Sequence, residues 1–428
     1  MFLKSTNLLK GEPAMKKLLT VGSALLLLTT SAFATESRLL ALGMNETDNE
    51  GMYYIQDGRN IFLNSANVNL YPDQLVTEYG SNGLTVGAGQ TLDANHRPKA
   101  QGGVFKKIGG LTYGVYYGNE SNTSSLLRVA ATRSTTAPAV ALPTADNQLD
   151  LFIGGDAGLK WGANVTYAHS ENEATLVKET GIATRLGVIG SNWDAHANIS
   201  LKSSSESPYT TGTQEFDGKL GFQVGGSYLM DFARVFGFVK HYGWDQKATG
   251  LTDIKGDFTS YYLGMGREYA VNEGGKLFAA ITAKKTDINL KYTQKGEVRH
   301  LIIPINIGYE AVATEWLTLR GSIVQNLWGT RDNKRLAIGA TDLTPTAATL
   351  IGNIYGTTGK ATLANSTEVN AGATLTFGQL ALDGMLGLTS NNRSTGNTTS
   401  GTGTSANKNE GMLAFDNLAT RVGLTYKF

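Results

Sequence analysis

Side chains of opposite character take turns along most of this chain, and that period of two constrains its fold more than any other feature. In "LKWGANVTYAHS", Leu159, Trp161, Ala163, Val165 and Tyr167 alternate with Lys160, Gly162, Asn164, Thr166 and Ala168. "NWDAHANISLK" sets Trp193, Ala195, Ala197, Ile199 and Leu201 against Asp194, His196, Asn198, Ser200 and Lys202. "EWLTLRGSI" and "LALDGMLGL" repeat the pattern around Leu317, Leu319 and Ile323, and around Leu380, Leu382, Leu386 and Leu388. Successive side chains of a strand point to opposite faces, so each run predicts a strand with one apolar and one polar side. The runs are about ten residues long, enough to cross a bilayer at a tilt. Strands of globular domains are usually nearer ~5–6 residues.

The texture is uniform from about residue 84 to the end, with no linker of changed composition, although 428 residues would usually split into domains. After the N-terminal segment no stretch reaches the ~18 consecutive apolar residues of a membrane helix. In lipid, backbone groups must be satisfied internally, which a closed barrel does without helices. The expected fold is therefore all-β: a transmembrane antiparallel β-barrel of about 16 strands over residues 84–428, with both termini periplasmic.

Turn signals place those strands near 84–90, 102–108, 111–118, 149–156, 159–170, 182–190, 192–202, 218–230, 232–241, 258–270, 275–286, 298–310, 315–327, 367–377, 380–390 and 418–428. The joints between them alternate short and long. Long ones fall near 91–101, 119–148, 171–181, 203–217, 242–257, 287–297, 328–366 and 391–417. Trp161, Trp193 and Trp316 start strands on one side, and Tyr426 and Phe428 end one there, as an aromatic girdle at a membrane interface would.

Residues 1–34 read as an over-called start followed by a cleaved signal peptide. Met15-Lys16-Lys17 precedes the apolar core Leu18–Leu28, and Ala32-Phe33-Ala34 is an A-x-A cleavage site. Losing Lys4, Lys10, Lys16, Lys17 and Glu12 leaves the mature chain slightly negative, so net charge gives no argument for nucleic acid. The lack of Cys fits export without a disulfide framework.

Residues 35–83 do not share the barrel texture and are expected to plug the lumen, latch beneath it or lead into it. Gln74–Tyr79 could add one more strand. The run "GRNIFLNSANVN" resembles the N-terminal region of long-chain fatty-acid transporters, where an asparagine-rich segment belongs to a hatch. "RLLALGMN…NIFLN" resembles the major outer-membrane proteins of Bdellovibrio-type bacteria, which implies a porin-like barrel in a Gram-negative outer membrane. The last strand carries Val422, Leu424, Tyr426 and Phe428 on one face. With Phe428 last, it resembles the signal read by the barrel-assembly machinery.

In a pore, function lies on the lumen wall. The alternation turns Lys160, Arg185, His196, Lys202, Lys219, Arg234, Lys240, Lys284, Arg320, Arg421 and Lys427 inward, with Asp150, Asp156, Asp194, Glu368 and Asp383. Arg185, His196, Arg320, Arg421, Glu368 and Asp383 are the pore-lining candidates. Opposed basic and acidic walls would set a transverse field that tunes ion selectivity. Residues 119–148, with Arg128, Arg133 and Asp146, are candidates for a constriction loop, and a solvated surface loop is as good a reading.

The five histidines are scattered without metal-ligand spacing, and no G-x-S-x-G elbow, phosphate loop or nucleic-acid surface is present. "NETDNEG" offers oxygen ligands without the spacing of a calcium loop. The sequence thus leads to a porin passing ions and small hydrophilic solutes through a water-filled lumen, neither an enzyme nor a cofactor protein. Its partners would be the bilayer, the assembly machinery and, by analogy with porins, a homotrimer. The alternatives are a transporter of hydrophobic substrates with residues 35–83 as hatch, and a structural or adhesive surface barrel. An apolar pocket under a hatch, or a blocked lumen, would favour these over the open porin.

Overall fold

The computed structural model describes residues 35–44, 51–81, 99–119, 148–173, 176–209, 212–249, 253–272, 274–291, 295–334, 359–362, 367–389 and 418–428. The expected signal segment and the strand expected near 84–90 lie outside these residues, as do Arg128, Arg133 and Asp146.

The alternating runs form one sheet closed on itself. Its strands are β1 (Gln74–Ser81), β2 (Lys99–Ile108), β3 (Leu111–Tyr117), β4 (Gln148–Asp156), β5 (Lys160–Asn172) and β6 (Val177–Ile189). There follow β7 (Trp193–Tyr209), β8 (Gly212–Gly218), β9 (Gly221–Leu229), β10 (Arg234–Ala248), β11 (Ile254–Asn272) and β12 (Gly275–Lys291). The last are β13 (Lys295–Thr314), β14 (Leu317–Lys334), β15 (Gly359–Thr362), β16 (Thr367–Phe377), β17 (Leu380–Thr389) and β18 (Leu418–Lys427). β8 and β9 occupy two halves of one wall position between β7 and β10, and β15 and β16 share another beside β14. The wall is therefore a closed antiparallel barrel of sixteen positions, as the alternation predicts.

Closure is made by β1, which pairs with β18 on one side and β2 on the other. Gln74 stands opposite Lys427 and Ser81 opposite Thr420. The first observed wall strand is thus Gln74–Ser81, and the wall begins ahead of residue 84. Its inward positions are Gln74, Val76 and Glu78, and two polar residues on the buried face hide the strand pattern in the sequence.

The tight turns from β2 to β3, β4 to β5, β6 to β7 and β16 to β17 lie on the rim that holds Gln74 and Phe428. Gly109 and Gly110 make one of them with φ of 59° and 88°, a region that favours residues without a Cβ. At the far rim four expected long loops are instead continuations of strands. β5 and β6 run into 171–181, β7 and β8 through most of 203–217, β10 and β11 into 242–257, and β12 and β13 through most of 287–297. Serine, threonine and charge on both faces erase the alternation there, while the backbone ladder needs only its own donors and acceptors.

The outward face is apolar along the middle of the strands: Val165 is 53% exposed, Leu263 63% and Ile323 53%. Trp193, Trp316, Tyr426 and Phe428 are exposed near the turn-bearing rim, and Trp161 is half-buried there. Two bulges flip the expected facing of two lysines. Leu201 and Lys202 together fill a register shift opposite Ile182, and Lys219 and Leu220 separate β8 from β9. Lys202 and Lys219 therefore lie exposed on the outer side instead of in the lumen, with Lys219 paired to Asp245 at 2.8 Å and Asp217 at 3.2 Å. An extra residue turns the side chain that follows it to the other face.

Inside, aromatic rings lie over glycines of neighbouring strands. A Cβ at Gly114 would meet Phe105, at Gly103 Tyr116, at Gly264 Phe236 and at Gly256 Trp244. Each ring is thereby held flat against the wall.

Candidate functional site

Residues 35–44 and 51–72 lie against the inner face of the barrel as an inner segment, the plug. They are α1 (Glu36–Ala41) and two 3-10 turns, Gly58–Ile61 and Ser65–Leu70. Thr35 caps α1, its hydroxyl accepting from the Arg38 N–H at 3.3 Å. Asp57 and Asn64 cap the two turns in the same way, accepting from Arg59 N–H at 2.8 Å and Ala66 N–H at 3.0 Å. Such caps supply partners that elements this short cannot supply themselves. Of the plug's apolar side chains, Leu39, Leu42, Ile55 and Phe62 are almost wholly hidden.

The plug is tied to the wall by buried ion pairs. Arg38 donates to Glu310 of β13 and to Asp57 at 2.8 Å. Glu310 also accepts from Arg320 of β14 at 3.1 Å, and Arg320 donates onward to Asp383 of β17 at 2.9 Å. The Thr35 hydroxyl donates to the other oxygen of Asp383 at 2.9 Å. The chain Asp57–Arg38–Glu310–Arg320–Asp383 alternates in sign, so each charge faces an opposite one.

A second network lies where the barrel closes. Arg421 of β18 donates to Glu36 at 2.7 Å, and Glu36 N–H donates to Glu78 of β1 at 2.6 Å. Gln101 of β2 bridges these carboxylates, donating at 2.7 Å and 3.0 Å. Arg59 reaches the same group, 3.6 Å from Glu36, donates to Gln101 and Asn119, and lies 4.3 Å from the centre of the Phe62 ring. On β6, Arg185 donates to Asp150 at 2.6 Å and to Asn164 at 2.6 Å, and its guanidinium lies 5.6 Å from the centre of the same Phe62 ring.

Neutral contacts complete the fit. Ser65 donates to the Gly162 carbonyl at 2.8 Å, and Asn69 to that of Trp161 at 2.8 Å. Asn64 donates to the carbonyls of Val188 and Ala195 at 3.3 Å. Tyr53 meets His196 at 2.7 Å, and Asn306 of β13 donates to the Leu42 carbonyl at 2.9 Å. Inward glycines make room for these approaches. A Cβ at Gly162 would strike the Ser65 carbonyl, at Gly187 Asn64, at Gly372 Ala41 and at Gly423 Thr35. The plug thus touches the wall around its circumference.

The structure brings Arg185, His196, Arg320, Arg421 and Asp383 together against the plug, all on the inner face. Glu368 also faces inward, accepting from Asn370 at 2.8 Å, further toward the far rim. The expected separation into opposed basic and acidic walls is not what they form. Each of the three arginines has its carboxylate beside it, so the charges cancel locally. Sequence reasoning missed the plug's half of these pairs: Glu36, Arg38, Asp57 and Arg59. Their spacing follows no strand or helix period, and the dense Asn and Ser of "GRNIFLNSANVN" were the available sign of a segment that must pair with backbone.

No family model matches the chain, and no curated protein matches it in sequence, so no relative supports the resemblance to Bdellovibrio-type proteins. Among solved structures, a Pseudomonas aeruginosa FadL homologue is 10% identical over 91% of this chain and 98% of its own, with a TM-score of 0.41. The Ralstonia pickettii toluene transporter TbuX is 13% identical over 93% of this chain and 99% of its own, TM-score 0.36. A porin is 10% identical over 83% of this chain and 99% of its own, TM-score 0.35. Superpositions this loose carry no argument about function.

Proposed function

We propose that this barrel is an outer-membrane channel for small solutes, held closed by its own N-terminal segment and passing solute when that segment shifts. The observation that carries the reading is the ring of contacts from residues 35–44 and 51–72 to the wall, from Glu78 and Arg421 through Gly162 and His196 to Glu310. Placement in a membrane rests on the outward apolar face, which runs around a closed wall and far exceeds the ~300–600 Å² patch of a typical soluble monomer. At this strand number a barrel without a plug leaves an aqueous channel. Diffusion of ions and hydrophilic solutes through the lumen, filtered by its charged side chains, then requires displacement of the plug.

Planar-bilayer recording of the refolded full chain tests this. Wild-type protein is expected to show long closed periods with rare openings, and Arg38→Ala to stay open for a larger fraction of the time. Steady, unbroken conductance in wild type would show that the plug closes nothing. A bilayer left silent by both proteins would sink the channel.

A further inference from the structure

Beyond the plug, toward the far rim, the inner faces of β7 to β12 carry a second group of side chains. Strand register sets Ser205, Phe216 and Gln246 in one row across β7, β8 and β10. The next row holds Trp244 and Gly256, and the next Tyr242, Phe258 and Ile288. The Trp244 and Tyr242 rings stack at 6.2 Å and 23°, with Phe258 6.0 Å from Tyr242. Gly256 lies under the indole, where a Cβ would collide with it. The ring of Trp244 is therefore set flat over Gly256, and it is buried.

Four polar atoms in this patch have no hydrogen-bond partner: Trp244 Nε1, both amide atoms of Gln246, and Ser205 Oγ. Trp244 is 2% exposed, Gln246 3% and Ser205 4%, so bulk water does not serve them. Buried polar groups are nearly always paired. Several orphans of both donor and acceptor kind, gathered around flat aromatic faces, mark a place for a guest. From β7 to β12 the named inward positions are Ser, Phe, Gln, Trp, Gly, Tyr and Ile, and the buried carboxylate of Glu179 on β6 stands opposite Ser205, so the guest is not an anion. An alkyl chain laid here would leave all four atoms unpaired, at ~1–3 kcal/mol each. A bare cation would leave the N–H donors of Trp244 and Gln246 unpaired.

We propose that this patch is a binding subsite for neutral sugars. A pyranose ring offers a face of C–H groups to the electron-rich face of an aromatic, and a rim of hydroxyls that both donate and accept. Trp244 Nε1 and the Gln246 amide would donate to ring or hydroxyl oxygens, while Gln246 Oε1 and Ser205 would accept. The role of the subsite in solute passage rests on the transport reading above; binding itself does not.

The test uses the refolded full chain in detergent, titrated with maltose and, separately, with benzyl alcohol, read by calorimetry and tryptophan fluorescence. Maltose is expected to bind saturably. Trp244→Phe should abolish the fluorescence change, and Gln246→Leu should weaken maltose about tenfold or more by removing two hydrogen-bonding atoms. Should Trp244→Phe fold poorly, Gln246→Leu decides alone, since its melting is checked against wild type. Saturable benzyl alcohol binding with none for maltose overturns the proposal, as does maltose binding indifferent to Gln246→Leu. Ion flux in bilayers without maltose binding likewise sinks the subsite and leaves the channel standing. Maltose binding sensitive to Gln246→Leu, without flux of any solute, supports the subsite and removes the channel.

Discussion

Arg38 of the plug grips Glu310 of the wall with both arms of its guanidinium, Nε to Oε2 at 2.9 Å and Nη2 to Oε1 at 3.0 Å. Both side chains are less than a tenth exposed. Two parallel bonds fix orientation as well as distance, which a lysine could not do. The pair therefore sets where the plug sits.

A double-mutant cycle measures that grip. Removing one partner of a buried pair typically costs ~3–5 kcal/mol, because the other charge is left uncompensated. Here Arg320 remains beside Glu310 but Asp57 loses its cation, so Arg38→Ala should cost an amount within that range. Arg38→Ala combined with Glu310→Ala should cost less than the sum of the single changes, with a coupling of about 1–3 kcal/mol. Denaturant melts followed in the near ultraviolet read it, and simple additivity would show that the pair does not hold the plug.

The inward glycines give a way to move the plug without unfolding the wall. Gly162→Ala places a methyl group against the Ser65 carbonyl. The substituted strand keeps its ladder, since alanine adopts extended backbone readily. Protease cleavage within residues 45–72 should speed up while the wall melts as before. Unchanged cleavage would mean that Ser65–Leu70 is not seated on Gly162.

Ile323 points out from the middle of β14 and is half exposed. If lipid covers it, Ile323→Arg should lower folding stability in phospholipid vesicles by ~2–4 kcal/mol. Ile323→Leu, as control, should change it by less than ~1.5 kcal/mol. Equal stability of the two variants would argue against a bilayer around this face.

Asp57 makes plug stability depend on pH. Burial, the larger effect, pushes its carboxyl up to about 6 against the pull of Arg38. A folded-state value above the ordinary carboxylate value makes this contribution complete below about pH 4 and lost as the pH rises through the folded value. Stability should therefore decline between mildly acid and neutral pH by an amount that Asp57→Asn removes. Asparagine keeps an oxygen for the Arg59 N–H, so the cap survives. Melting of both proteins across pH 4–8 checks this, and parallel profiles would exclude Asp57 as the source.

The outer wall was legible because lipid and lumen ask opposite things of alternate residues. Val422, Leu424, Tyr426 and Phe428 could be assigned to one side from the sequence, and all four point outward or sit at the rim. Legibility failed wherever neither face meets lipid. The far-rim extensions of β7 and β10–β13 looked like loops, and β1 looked ambiguous because Glu78 faces the plug. Lys202 and Lys219 were turned the wrong way because a bulge adds a residue without adding a signal.

The sequence by itself determined an all-β closed wall of about sixteen strands, without counting the closing strand Gln74–Ser81, since period two is a local property wherever one face meets lipid and the other the lumen. Only the tertiary structure decided that residues 35–44 and 51–72 lie inside that wall. It also decided that Arg185, Arg320 and Arg421 are neutralised in place by Asp150, Glu310, Asp383, Glu36 and Glu78. These pairs join residues up to 385 positions apart. Coulomb attraction and hydrogen bonding act across space, and no periodicity along the chain records which distant charges folding will bring together.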